Sequence, residues 1–201
     1  MRLSINFSYN ILIERQDDMN NSQLRQPVMP EHCKDYHFVT GEKHKYLGRY
    51  YTLVVQPIGD GEVPQVALRG EYLYLSAKEP ADIAANAGIL DTWYQKQAEA
   101  VFTPIVAEAV VKAIPYNHKR LPQLRIYRMD NQWGACNPKT GVLILNLELI
   151  KVPEACIAFV AQHEVLHLSF PSHNNAFFSA LKTLMPNWME REKTLRTLYP
   201  I

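Results

Sequence analysis

Apolar and polar residues alternate at the start of the chain, with Leu3, Ile5, Phe7 and Tyr9 apolar and Ser4, Asn6 and Ser8 between them. A period of two predicts a half-buried strand over 3–9. Residues 16–32 are polar and contain Pro27 and Pro30, which reads as a loop or linker. Two segments rich in aromatic and β-branched residues follow, HKYLGRYYTLVVQ (44–56) and QVALRGEYLYLSA (65–77). They predict short strands, with a hairpin turn at Gly70. From about Asp82 to Ala113 the period changes: Ile89, Leu90, Trp93, Ala100 and Val101 recur at helical spacing. Pro104 is expected to kink or divide that helix.

Beyond it, LPQLRIYRMDNQWGAC (121–136) predicts a further strand region. NPKTG (137–141) is a turn, and VLILNLELI (142–150) is the next strand. Pro153 suits the first position of a helix. That helix carries EACIAFVAQHEVLHLSF and should end near Pro171. A second helix starts at about His173 or Asn174 and stops at Pro186, and a third ends with Leu195 and Leu198. Strands, a long helix, a hairpin and then helices give an α+β class with a small, largely antiparallel sheet. The expected organisation is an N-terminal strand and linker over 1–34 and one globular domain over 35–201.

Composition narrows the classes. The chain has 201 residues, of which 47% are hydrophobic and 20% charged, enough for an ordinary buried core. With 21 basic and 20 acidic residues the net charge is +1, which gives no electrostatic ground for a nucleic acid or an anionic membrane as partner. Cys33, Cys136 and Cys156 are odd in number and widely spaced, and form neither a disulfide framework nor a C-x-x-C pair. No apolar run approaches the roughly 18 residues of a spanning helix. A soluble, cytoplasmic protein is expected.

The chemistry concentrates in HEVLH, residues 163–167. Histidines four apart on a helix share a face and can reach one metal ion at about 2.0–2.1 Å. Glu164 follows the first of them and is placed to act as general base toward water that such a metal activates. Catalytic zinc sites usually take three protein ligands, and His173 lies six residues beyond His167. Pro171 stops the helix and lets the chain turn, so His173 can come back to the metal. The spacing HEVLHLSFPSH equals that of the metzincin signature, but Phe170 occupies its glycine position, which excludes that family. The helix is apolar around the motif, and two histidines and a glutamate buried there need a partner. Glu190 and Glu192 read as surface charges. Trp93, Trp133 and Trp188 read as packing residues, and Cys136 is not assigned to the metal.

The segments MDNQWGACNPKTGVLILNLELIKVP, FVAQHEVLHL, SHNNAFF and LMPNWMERE, in that order, resemble the YgjP-like metallopeptidase domain family. YLGRYYTLVV and DTWYQKQAEAVF resemble it more loosely, so the likeness covers about residues 35 to 200. It implies a zincin-like core, an active-site helix beside a small sheet, and distant kinship to SprT-like proteases. It also implies Zn2+ on His163, His167 and His173, with Glu164 catalytic. The family often has an arginine before the tryptophan and a serine two residues after it, where this chain has Gln132 and Ala135.

The leading expectation is a zinc-dependent hydrolase, a metallopeptidase acting on a peptide or protein. The alternatives are a metal-binding interaction module without catalysis and a nucleic-acid-associated protease of SprT-like kind. Tyr127, Arg128 and His118 are the candidates for stabilising an oxyanion. Trp133–Cys136 is expected at a sheet edge beside the cleft, where a peptide can add as a strand.

Overall fold

A computed structural model describes residues 36–117 and 121–199. The strand expected over 3–9, the linker over 16–32 and His118 lie outside them, as does the whole 1–34 segment. Four strands come first: β1 (Lys43–Tyr46), β2 (Arg49–Pro57), β3 (Gln65–Arg69) and β4 (Tyr72–Ala77). Gly70 takes φ +58°, a left-handed conformation that suits glycine, at the tight β3–β4 turn. The sheet order is β1-β2-β4-β3, with β2 and β4 parallel and the other two pairings antiparallel. Leu73, Leu75 and Ala77 alternate toward the core on β4.

Helix α1 (Ile83–Lys112) packs on this sheet. Asp82 caps it, its carboxylate accepting from the Ala85 N–H at 2.9 Å. The helix runs unbroken through Pro104, contrary to the division expected from sequence. Pro104 and Ala100, whose carbonyl loses its helical partner, are both exposed residues, while Phe102 and Val106 on either side of the proline are fully buried. Core packing on that face outweighs the missing hydrogen bond. A short helix α2 (Ile114–Asn117) ends this half.

The second sheet contains β5 (Gln123–Tyr127), β6 (Gly134–Asn137) and β7 (Val142–Asn146), in the order β5-β7-β6. β5 runs parallel to β7, and β6 runs antiparallel to it as an edge strand. The single strand region expected over 121–136 is thus two strands separated by a loop. The strand expected over 142–150 also stops early, at Asn146, and Leu147–Lys151 form a 3₁₀ turn. The reason is local: the Asn146 side chain accepts from the Glu148 N–H at 3.0 Å and turns the chain out of the ladder. Across both sheets three of the five strand pairings are antiparallel.

Three helices close the fold: α3 (Glu154–Leu166), α4 (Asn175–Leu184) and α5 (Trp188–Leu198). Pro153 stands at the N-cap of α3, with helical structure beginning one residue later. α3 is the central element, packed against α1, β6, α4 and α5. Cys156, Ile157, Phe159, Val160, Ala161, Val165 and Leu166 are all buried, so it shows apolar residues on nearly every side. The architecture is α+β, with a histidine-bearing helix beside a small sheet. Among the described residues no helix is long and apolar enough to cross a membrane.

Candidate metal centre

α3 ends at Leu166, short of the expected stop near Pro171, and His167 is its C-cap. His167 keeps helical backbone angles (φ −64°, ψ −17°), so its side chain still shares a face with His163 one turn earlier. The chain then turns, and Asn174 caps α4 by accepting from the Phe177 N–H at 3.0 Å. That reversal brings His173 back over the end of α3. The three Nε2 atoms lie 3.2 Å (His163–His167), 3.1 Å (His167–His173) and 2.8 Å (His163–His173) apart.

A ligand set for a tetrahedral zinc ion at about 2.05 Å per bond has nitrogens about 3.3 Å apart. Two sides of the observed triangle are within a few tenths of an ångström of that spacing, and the third, His163–His173 at 2.8 Å, is about half an ångström shorter. The tautomer of His167 also fits. Its Nδ1 lies 2.9 Å from the Phe170 carbonyl, which can only accept, so Nδ1–H donates and Nε2 presents a lone pair to the centre. Burial foremost, and then the charges of His167, His173 and Arg196, pull the His163 pKa down to about 3, and burial also lowers that of His167. Both imidazoles are thereby held in the neutral form that binds metal. The residues present fit a divalent cation with nitrogen ligands.

Phe177 forms the floor of the triad. It is fully buried in the first turn of α4, stacked on His167 with centroids 4.8 Å apart. It meets His163 and His173 edge-on at 4.9 Å each. His173 itself is exposed. His163 also lines a cleft of about 430 Å³, walled by Trp133 just before the edge strand, Gly134 at its start, Phe159 and Val160 from α3, and Glu192 and Arg196 from α5. Glu164 lines it too and is 7% exposed; burial pushes its carboxyl up to about 8.

The metal candidates named from sequence therefore meet at one point, with Glu164 beside them. Trp133 lines the cleft besides packing on the core, and Glu192 is part of the cleft wall, paired with Arg196 at 2.9 Å. Arg128 is held by ion pairs to Asp91 and Glu148, and neither it nor Tyr127 lines the cleft. Sequence reading missed Phe177 as the floor, the Phe170 carbonyl as the His167 acceptor, and Asn146. The Asn146 side chain is fully buried and donates to the Met129 carbonyl at 2.7 Å and the Gln132 carbonyl at 2.9 Å, while its N–H donates to the Trp133 carbonyl at 3.0 Å. It thus pins the loop that leads into β6. An asparagine inside the apolar run VLILNLELI was the available signal.

Compared with known protein families, residues 2–198 match the YgjP-like, metallopeptidase domain family. The chain belongs to that family. The match takes in the N-terminal segment as well as the sheets and helices described above. Among solved structures, the metallopeptidase zymogen abylysin of Pyrococcus abyssi is similar over 47% of this chain and 94% of its own, at 19% identity and a TM-score of 0.42. The metallopeptidase zymogen jannalysin of Methanocaldococcus jannaschii is similar over 49% and 89%, at 20% identity and a TM-score of 0.41. A search of curated proteins gave no match.

Proposed function

We propose that this YgjP-like chain is a zinc-dependent peptidase in which His163, His167 and His173 hold the metal and Glu164 is the general base. The observation that carries the reading is the convergence of three imidazole nitrogens, 2.8–3.2 Å apart, beside a buried carboxyl at the end of an open cleft. A bound zinc ion supplies Lewis acidity, bringing water toward a pKa of about 7 and polarising a carbonyl.

The chain's own groups do the rest. Phe177 and the Phe170 carbonyl fix the imidazoles, so little reorganisation is left for the moment of reaction. Glu164 takes the proton from the attacking water as the new C–O bond forms, and returns it to the amine as the C–N bond breaks. Burial alone holds its carboxyl in the protonated form near neutral pH; beside a cation it returns toward ionisation, the state a base needs. Among the described residues β6 stands at the edge of its sheet, the position at which an extended peptide adds as a strand. Peptide or protein substrates follow from the family, and a cytoplasmic location remains part of the same proposal.

The decisive comparison is wild type against Glu164→Gln. Both should carry one zinc per chain by elemental analysis. Cleavage of a fluorogenic peptide library should fall by about 10²–10⁴-fold in the variant, the usual contribution of a general base. Equal cleavage by both proteins removes Glu164 from the mechanism. Zinc binding without cleavage by wild type would instead identify an interaction module.

A further inference from the structure

Gly134 begins the edge strand and lies against α3. Its backbone is not among the glycines with positive φ, so conformational freedom does not explain the residue. Space does. A Cβ built on Gly134 would lie 2.7 Å from Cγ of Glu164, 2.9 Å from its Oε1 and 2.9 Å from Cγ1 of Val160. Real Cβ atoms do not approach other heavy atoms so closely, so something must move.

The strand is poorly free to do so. Gly134 and Ala135 are in register with Leu145 and Ile144 on β7, and the Asn146 N–H holds the carbonyl just before Gly134. The loop upstream is tied by the two bonds from the Asn146 side chain. Val160 is part of the packed interior of α3. The Glu164 side chain is left as the group that yields, and the contact falls at its Cγ as well as its carboxylate oxygen, so moving the tip alone does not relieve it and the side chain must change rotamer. We infer that Gly134 is a positioning residue whose missing side chain forms the seat of the Glu164 carboxylate. The inference rests on the general-base reading of Glu164 for its functional part and on packing alone for its structural part.

The test is a double-mutant cycle on the full zinc-loaded chain, in a Val160→Ala background that removes the second contact. Gly134→Ala is made with Glu164 present and with Glu164→Ala. Denaturation midpoint, zinc content, kcat and KM are measured. With Glu164 present, Gly134→Ala should lower the midpoint; with Glu164→Ala it should lower it much less. Zinc should stay at one per chain. kcat should drop by about 100-fold, the effect of an ångström-scale misplacement, with KM within about twofold. If Gly134→Ala folds only when Glu164 is also replaced, the seat is equally supported. An equal loss of stability in both backgrounds, failure of both to fold, or an unchanged kcat overturns it. Absence of any peptide cleavage by wild type would sink the peptidase reading, and the stability cycle would still decide the seat.

Discussion

The two sheets share one plan. In each, a strand runs parallel to the third of its set, and the second strand lies antiparallel to that third as an edge: β2-β4-β3 in one half, β5-β7-β6 in the other. Each edge strand also borders a groove shared with a helix, β3 with α1 and β6 with α3. The helices differ. α1 presents Gly88, Ile89, Thr92, Trp93 and Lys96 to its groove, while α3 presents His163 and Glu164. The strand plan is thus common to both halves, and what distinguishes the candidate site is the helix face laid beside it.

The histidines sharpen the same contrast. His44 in the first sheet is buried, stacked on Tyr36 at 4.8 Å, and bonded to Glu42 at 3.0 Å. Its partner is a carboxylate that also accepts from the His37 and Phe38 N–H groups, so it is satisfied within the fold. The histidines of α3 point at one another. Burial alone does not distinguish His44 from the histidines of the candidate centre; the identity of the partner does.

Substitutions can break or refine this comparison. The largest effect is expected from His163→Ala or His167→Ala, which should abolish tight zinc binding in elemental analysis, while His44→Ala leaves one zinc per chain. Retained zinc in the α3 variants would dissolve the distinction. Next come two fully buried phenylalanines, Phe102 on α1 and Phe177 on α4. Either change to alanine should cost about 3–5 kcal/mol in chemical denaturation. Only Phe177→Ala should also weaken zinc affinity, read by competition with a chromogenic chelator.

The smallest effect concerns pH. Burial lowers the His44 pKa against the opposing pull of Glu42, with Lys151 adding to the lowering. Lys45, Asp91 and Arg128 line the same small cavity. Below about pH 6.5 the unfolded chain takes up a proton that folded His44 resists, so this contribution to stability is present above that pH and lost as pH falls. The urea midpoint of wild type should decline on acidification, and His44→Gln should flatten that slope without changing zinc content.

Much of the candidate site was legible because its signals are local. HEVLH, Pro171 and His173 fall within eleven residues, and helix geometry turns their spacing into a prediction. The α+β class and most elements were legible from periodicity, as in the alternation of QVALRGEYLYLSA. What escaped acts through space. Phe177 reads as one more core residue of an amphipathic helix, and only the fold places its ring under three imidazoles. Gly134 gives no sign in sequence that its neighbour is Glu164, thirty residues on. The parallel pairings escaped as well, since alternation reports which face is buried and not which strand lies alongside. Pro104 misled because local propensity yields to packing.

His173 lies outside α3, ten residues from His163. An ion held by both would therefore act as a clasp that closes a short ring of chain. In a simple chain-entropy view, a cross-link over about ten residues is worth ~3 kcal/mol. That constraint would be confined to the turn between α3 and α4 and would leave the four-stranded sheet untouched. Chelation should accordingly quicken hydrogen exchange first in α4, with β2 and β4 the last to respond.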